Sequence, residues 1–292
     1  MSGICTIMGV PFNNLSMTEA VGITLINLKE RKKTVIYTPN PEMVMAAQKD
    51  REFMQVLNSA DLLIPDGIGV VKASKFYHNP IKERVAGCDL IEEVFARVKT
   101  TVNTVYFLGG AEGVAEKAKQ KMQRKYRGLT ISGTHHGYFK DGSPEEKEVI
   151  DEINRLNPEI LLVGLGFPRQ EKWIAKHRDK LNSIIIMGVG GSFDVLSGNT
   201  KRAPEFYRNH GLEWFYRLIT QPTRFKRMLV LPVFLVRAIG ERFGAKIEFN
   251  GDKVSIKKAN SKKRKRSSGS SKSTNNREIN RERTPRRTKG SK

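Results

Sequence analysis

The sequence predicts an α/β fold: a Rossmann-like, mostly parallel sheet with helices on both faces, followed by a C-terminal helical appendage. Short apolar segments alternate along the chain with longer segments of helical periodicity. Most of the apolar segments are unbroken, which is typical of parallel strands buried on both faces. With 292 residues, the chain is long enough for one large α/β domain with its own core.

Seven segments are predicted as strands: Cys5–Val10, Thr34–Tyr37, Leu62–Ile64, Thr104–Leu108, Leu129–Thr134, Ile160–Val163 and Ile184–Val189. The helices predicted between them are Pro41–Lys49, Phe53–Ala60, Leu90–Lys99, Gly113–Tyr126, one that begins at Ser143 and one that begins at Arg169. Ser143 is the expected N-cap of its helix, with Pro144 in the first turn and a glutamate placed for a capping box.

Composition divides the chain into four predicted regions. Residues 1–199 form the α/β core, 200–246 a basic amphipathic appendage, 247–258 a short β-hairpin around Asn250-Gly251, and 259–292 a disordered basic tail. The net charge of +22 is uneven: residues 1–200 carry +3, 201–246 carry +7 and 259–292 carry +11. We therefore expect an anionic partner for the C-terminal region, either nucleic acid or a membrane surface.

No segment predicts a membrane span. The longest apolar run, Met228–Val236, is interrupted by Pro232 and is shorter than the ~20 residues that a spanning helix needs. The first residues lack the basic flank and long apolar run of a signal peptide. We expect a cytoplasmic protein whose contact with a membrane is peripheral.

Polar groups follow several predicted strands, where ligands bind in open α/β sheets. Asp66 lies between an apolar strand and Gly67, a place where desolvation would make it a stronger base; the alternative is that Asp66 caps the next helix. Thr38 and Asn40 are held by flanking prolines, and a helix cap explains them equally well. Gln170 is placed to bind a sugar hydroxyl, whereas Arg169 and Lys172 are expected to be surface charges.

Two glycine-rich loops also follow strands, one containing Gly109 and Gly110 and the other Gly190 and Gly191. Glycine lets backbone N–H groups approach a phosphate. Each loop alone is a weak signal, since glycines also form ordinary turns. Neither loop has the dinucleotide fingerprint or the P-loop pattern.

We expect no metal and no cofactor. Cys5 and Cys88 have no metal-ligand spacing, and His135 and His136 are adjacent, so in a strand they would point to opposite faces. The sequence also lacks the Asp-x-Asp pattern of a metal-bound nucleotide sugar. A phosphate leaving group would then have to be stabilised by backbone N–H groups and arginine.

Six motifs occur in a characteristic order: Thr-Pro-Asn-Pro-Glu at 38–42, Pro-Asp-Gly-Ile-Gly at 65–69, Glu-Arg-Val-Ala-Gly-Cys-Asp-Leu at 83–90, Phe-Leu-Gly-Gly at 107–110, Gly-Leu-Gly-Phe-Pro-Arg-Gln-Glu at 164–171 and Gly-Val-Gly-Gly-Ser-Phe-Asp at 188–194. Through them the chain resembles the bacterial WecG/TagA/CpsF glycosyltransferases, also called glycosyltransferase family 26. The resemblance spans residues 1 to about 245. It is greatest to the members that begin the wall teichoic acid linkage unit.

The resemblance implies that N-acetylmannosamine passes from its UDP donor to N-acetylglucosamine on undecaprenyl diphosphate, with inversion and without a metal. Asp66 corresponds to the base that deprotonates the acceptor hydroxyl. The residues that correspond to substrate contacts are Thr38, Asn40, Arg84 and Gln170. Gly109, Gly110, Gly190 and Gly191 would hold the UDP, and Asp194 is a candidate uridine contact. From the residues alone, Arg84 looks like a surface charge beside Glu83.

The resemblance also implies that the appendage binds the membrane, completes the active site and is mobile in an oligomer off the membrane. Arg217, Arg224 and Arg227 would reach the lipid diphosphate, because the planar guanidinium binds phosphate in a bidentate way. Aromatic and apolar side chains of this region suit an interfacial helix, and each basic residue near an anionic leaflet adds about 1 kcal/mol. The hairpin and tail have no counterpart in the family.

Three alternatives remain. Another UDP-sugar could be the donor, in capsule or exopolysaccharide synthesis. Lys262–Arg266 and the rest of the tail suggest a nucleic-acid-binding protein, although the neutral core makes such binding accessory and we expect no specific nucleic acid. A nicotinamide-dependent oxidoreductase fits poorly, because the glycine fingerprint and its acidic ribose-binding residue are missing.

Overall fold

The computed structural model describes residues 3–98, 104–220, 229–250 and 253–258. Its strands, in chain order, are β1 (Ile4–Ile7), β2 (Val10–Asn13), β3 (Thr34–Tyr37), β4 (Leu62–Leu63), β5 (Thr104–Gly109), β6 (Thr130–His135), β7 (Ile160–Gly164), β8 (Ile185–Gly188), β9 (Ala245–Asn250) and β10 (Lys253–Lys258). β3 to β8 form one parallel sheet in the order β4-β3-β8-β7-β5-β6. The predicted Rossmann-like sheet is confirmed.

The helices of the described residues are α1 (Met17–Lys29), α2 (Pro41–Ala47), α3 (Arg51–Asn58), α4 (Ile68–Ser74), α5 (Gly87–Val98), α6 (Val114–Lys125), α7 (Pro144–Leu156), α8 (Arg169–His177), α9 (Ser192–Leu196), α10 (Glu205–Asn209), α11 (Glu213–Thr220) and α12 (Val230–Arg242). Ser143 is the N-cap of α7, as predicted, and accepts the N–H of Glu146 at 3.2 Å. The Glu146 carboxylate bonds to the N–H of Gly142, one residue before the cap.

The first predicted strand is wrong. Cys5–Val10 does not join the parallel sheet; it is divided between β1 and β2, which pair antiparallel as a separate hairpin. Met8 and Gly9 between them have φ angles of 49° and 79°. These left-handed conformations reverse the chain within an apolar run, and Gly9 adopts one without the steric cost that a Cβ would bring.

Helices cover both faces of the sheet, and two hydrophobic cores result. Successive strand residues point to opposite faces, so Tyr37 and Leu108 belong to one core while Ile36 and Phe107 belong to the other. The first core holds buried residues of α2, α3, α4, α7, α8 and α12, and the second those of α1, α5, α6 and α9. Each fully buried Leu, Ile or Phe side chain contributes about 1.5–3 kcal/mol relative to exposure.

Part of the C-terminal region belongs to the first core. Phe234 and Ala238 of α12 are fully buried there, and the Tyr77 hydroxyl donates to the Ala238 carbonyl at 2.7 Å. β9 and β10 pair antiparallel, with Asn250 opposite Lys253. Within the described residues, no helix combines the length and the apolar character needed to cross a bilayer.

Candidate active site

A cavity of about 370 Å³ opens at the carboxyl ends of β3, β4 and β8. β3 and β8 are neighbours, but their following loops lead to helices on opposite faces: α2 packs in the first core and α9 in the second. Such a divergence leaves a crevice at the sheet edge, which is where open α/β sheets bind ligands. Eight of the predicted site residues line the cavity: Thr38, Asn40, Asp66, Arg84, Gln170, Gly190, Gly191 and Asp194.

Asp66 lies on the cavity wall directly after β4. Its backbone N–H donates to the Pro39 carbonyl at 3.2 Å, which ties the β4 loop to the loop after β3. The alternative that Asp66 is the N-cap of α4 is wrong, because Gly67 occupies that position. Gly67 has a φ of 90°, and a Cβ on it would lie 3.3 Å from the Pro41 ring. The turn that presents the Asp66 carboxyl therefore requires glycine at position 67.

Thr38 and Asn40 lie on the loop between β3 and α2. Asn40 is a helix cap, since its side-chain oxygen accepts the N–H of Met43 at 3.0 Å, and it also lines the cavity. The cap does not use the amide N–H₂, which can donate to a ligand. Thr38 packs over the start of α5, where a Cβ at Gly87 would lie 3.1 Å from the threonine hydroxyl oxygen.

Gln170 and Glu171 form a buried polar pair at the start of α8. The Gln170 carbonyl oxygen accepts the Gly190 N–H at 2.9 Å, and its amide nitrogen donates to Glu171 Oε1 at 2.6 Å. Glu171 has no exposed surface, and desolvation raises the pKa of its carboxyl to about 7. Gln170 therefore fixes the glycine loop after β8, a contact that the sequence does not predict.

Arg84 pairs with the C-terminal region. Its guanidinium lies 2.7 Å from the Glu213 carboxylate on α11, and both side chains line the cavity. A second ion pair joins Arg202 to Asp89 near the start of α5. Arg202, Glu213 and Trp214 are cavity residues that sequence reasoning missed, because nothing local distinguishes them from other charged or aromatic residues of the C-terminal region.

Cys88 also lines the cavity, between these charges. Burial is the main reason that the pKa of its thiol is raised to about 11; Arg202 lowers the pKa, whereas the carboxylates of Glu92, Asp66 and Glu213 raise it. A thiol with this pKa is neutral near pH 7 and is a poor nucleophile.

Gly109 and Gly110 do not line the cavity. The Gly110 N–H donates to the Gly164 carbonyl at 3.1 Å, and a Cβ on Gly109 would lie only 2.3 Å from the same oxygen. The close approach of β5 to β7 therefore needs glycine at position 109. Arg217, Arg224 and Arg227 cannot be placed, because the side chain of Arg217 and the whole of residues 221–228 lie outside the described residues.

The prediction that His135 and His136 point apart is wrong. β6 ends at His135, so the strand alternation ends there and the two rings lie 4.4 Å apart. Their ligand atoms and that of Glu145 lie within 4.8 Å of one another. His136 Nδ1 accepts the Tyr138 N–H at 3.3 Å, which places the ring proton of the neutral form on Nε2. That tautomer suits a hydrogen bond from His136 Nε2 to Glu145.

Comparison with known proteins covers the region that contains the cavity. The model of the glycosyl transferase WecG/TagA/CpsF family matches residues 5–248. A protein of Bacillus spizizenii W23 is 37% identical over 248 residues, which cover 82% of this chain and 95% of the relative. A protein of Bacillus subtilis 168 is 37% identical over 237 residues, covering 81% and 91%. One of Staphylococcus aureus NCTC 8325 is 34% identical over 233 residues, covering 79% and 90%.

All three relatives carry the name N-acetylglucosaminyldiphosphoundecaprenol N-acetyl-beta-D-mannosaminyltransferase. The matched region contains every residue that lines the cavity. The chain belongs to the WecG/TagA/CpsF family of glycosyltransferases.

Proposed function

We propose that this protein transfers N-acetylmannosamine from a UDP donor to N-acetylglucosamine on undecaprenyl diphosphate, with inversion and without a metal. The names of the relatives support both sugars and the lipid acceptor. The observation that carries the proposal is the convergence of Asp66, Thr38, Asn40, Arg84 and Gln170 on one cavity. Its volume of about 370 Å³ lies within the range of small-molecule sites.

Asp66 acts as the general base in this proposal. Its carboxylate accepts the proton of the acceptor hydroxyl, whose oxygen attacks the anomeric carbon of the donor. The bond from that carbon to the phosphate oxygen breaks on the opposite side, and UDP leaves with the bonding electrons. Attack opposite the leaving group inverts the anomeric configuration. The proton on Asp66 passes to solvent after the product departs.

The leaving diphosphate needs positive charge. Arg84 and Arg202 lie on the cavity wall and supply it, and the appendage residues Arg217, Arg224 and Arg227 add to it in this proposal. Asp194 lines the same cavity and is assigned to the uridine. Gly190 and Gly191 line the cavity and allow the diphosphate to approach the backbone closely. Gly109 and Gly110 lie outside the cavity, and we assign them no part in holding UDP.

The acceptor is a lipid, so we place the enzyme peripherally on the inner face of the cell membrane. Exposed apolar side chains of the appendage support this: Phe206, Phe215, Ile219, Leu229, Val236 and Phe243. With a charge of +7 over residues 201–246, the region suits an anionic bilayer surface. Off the membrane we expect a homo-oligomer.

A donor panel tests the proposal. Purified protein would be given UDP-N-acetylmannosamine, UDP-N-acetylglucosamine or UDP-glucose with a short-chain lipid diphosphate acceptor in anionic vesicles, and product would be followed by mass spectrometry. We expect transfer from UDP-N-acetylmannosamine to a β-linked product, unchanged by a chelator. Transfer from another donor alone would overturn the sugar assignment, and absence of transfer from every donor would overturn the reaction.

A further inference from the structure

Glu171 is a carboxyl group that the proposed reaction does not use. It is fully buried at the start of α8, next to the cavity residue Gln170. Oε1 accepts the Gln170 amide at 2.6 Å, whereas Oε2 has no hydrogen-bond partner among the described residues. Burying a carboxyl with one unpaired oxygen is costly, and desolvation raises its pKa to about 7. The side-chain partner of this carboxyl is Gln170, so we look for its role there.

The neighbours of the Gln170 side chain fix the direction of its amide. The backbone N–H of Gly190 can only donate, so the atom that it meets at 2.9 Å is the amide oxygen. The amide nitrogen then meets the Glu171 carboxyl. Rotating the amide by half a turn would set N–H₂ against the Gly190 N–H and oxygen against carboxyl oxygen, so both hydrogen bonds would be lost.

The surrounding backbone confines this amide further. A Cβ on Gly188 would lie 3.0 Å from the Gln170 amide nitrogen and 3.4 Å from the Tyr37 ring. The Tyr37 hydroxyl in turn donates to the backbone carbonyl of Glu171 at 3.1 Å. The Gln170 amide thus lies between the Glu171 carboxyl and the Gly188 backbone of β8. The Tyr37 hydrogen bond holds the first turn of α8 to β3.

We propose that Glu171 is a positioning residue for the donor site: it orients the Gln170 amide so that the carbonyl holds the Gly190 loop and one N–H remains for the ligand. The amide nitrogen has two hydrogens, and Glu171 accepts one. The ligand group at Gln170 is therefore a hydrogen-bond acceptor, such as a hydroxyl, carbonyl or phosphate oxygen. The identity of the donor rests on the function proposed above; the orienting contact does not.

Two substitutions of Glu171 distinguish the effect of its hydrogen bond from the effect of its side-chain volume. Glu171→Gln keeps an acceptor oxygen of the same shape, whereas Glu171→Met keeps the length and removes the acceptor. We expect Glu171→Met to accelerate amide hydrogen exchange at Gly190 and to raise the KM for the UDP-sugar roughly tenfold, the effect of about 1.4 kcal/mol, with a smaller change in kcat. In Glu171→Gln, the exchange rate at Gly190 and the KM should both lie within about twofold of the wild-type values.

Gly188→Ala gives an independent test if Glu171→Met does not fold. Its Cβ would displace the Gln170 amide while Glu171 stays in place, so exchange at Gly190 and the KM should both rise. Unchanged exchange at Gly190 in Glu171→Met, or equal defects in Glu171→Met and Glu171→Gln, would overturn the proposal. Exchange is measured on ligand-free protein. If Gly190 responds as expected but no UDP-sugar is transferred, the orienting role is supported and the proposed reaction fails.

Discussion

The guanidinium of Arg84 lies 2.7 Å from the carboxylate of Glu213, and each side chain is only 16% exposed. Arg84 belongs to the loop before α5, and Glu213 to the first turn of α11 in the C-terminal region. This ion pair therefore joins the α/β core to the appendage at the cavity itself. An arginine assigned to substrate thus also has a carboxylate partner within the protein.

Exchanging the two charges tests what the pair does. We expect Arg84→Glu and Glu213→Arg each to lower the free energy of unfolding by about 1 kcal/mol or more, and the double variant to recover most of that loss. Activity should not recover, because a phosphate needs the guanidinium on the α5 side. Urea unfolding and the transfer assay measure the two effects. Recovered activity in the double variant would show that Arg84 serves only the ion pair.

Replacing Asp66 removes the proposed base. Asp66→Asn should lower kcat by about 10²–10⁴-fold, the usual contribution of a general base, with little change in UDP affinity measured by calorimetry. Asp151→Asn, on the exposed surface of α7, is the matched control and should retain full activity. The expected loss is ~10²–10⁴-fold, so a kcat for Asp66→Asn within about threefold of the wild-type value would contradict the assignment.

Stability should depend on pH through Glu171. Burial raises its pKa from 4.5 to about 7, so between these values the folded state binds more protons than the unfolded state. The free energy of unfolding then falls as pH rises through this window, by up to about 3 kcal/mol. Tyr37, the titratable group facing Glu171, stays neutral there because burial raises its pKa.

Urea unfolding at pH 5 and pH 7.5 measures this effect. Glu171→Gln has no carboxyl proton to lose, so its stability relative to the wild type should increase from the lower pH to the higher one. The same difference between the two proteins at both pH values would contradict the prediction.

Gly109 should be essential for stability although it lies outside the cavity. Gly109→Ala would place a Cβ 2.3 Å from the Gly164 carbonyl oxygen at a φ of 136°, and we expect a loss of about 3 kcal/mol or more. Gly22→Ala is the control: nothing lies within 4 Å and the residue is inside α1, so alanine should stabilise by about 0.5–1 kcal/mol. Thermal unfolding of both variants measures the two changes in stability, and a Gly109→Ala protein as stable as the wild type would contradict the prediction.

α12 contributes to the core through Phe234. Phe234→Ala should cost about 3–5 kcal/mol, because a fully buried ring leaves a cavity. Phe243→Ala removes the same side chain from a position that is 76% exposed, and should change stability by less than about 0.5 kcal/mol. Similar unfolding midpoints for the two variants would show that α12 is not part of the cooperative fold.

The parallel sheet is predictable from sequence, because strands buried on both faces need unbroken apolar runs and most of its strands are such runs. The β1–β2 hairpin is not predictable in this way. Its turn at Met8-Gly9 lies inside an apolar run and no polar residue marks it, so the run predicts one continuous strand. α1 was not predicted. Ser16 forms a complete capping box there with Glu19, a signal that is present in the sequence.

The site is only partly predictable. Asp66, Asn40 and Gln170 follow strands, and the rule that ligands bind at carboxyl ends of parallel strands brings them together. Arg84 has no such local signal, and its partner Glu213 is 129 residues away in the chain. The contact between the Gln170 amide and Gly190 depends equally on packing between separate elements, which periodicity and motifs do not encode.

The packing of α12 against α2 and α4 has a consequence for synthesis of the protein. Leu231 of the same helix covers Gly69 beside the cavity, so one wall is absent until this segment emerges. At translation rates of about 5–20 residues per second, the interval from residue 70 to residue 238 is roughly 10–30 s. During that interval the apolar face of α2 and α4 that α12 later covers is left without this cover.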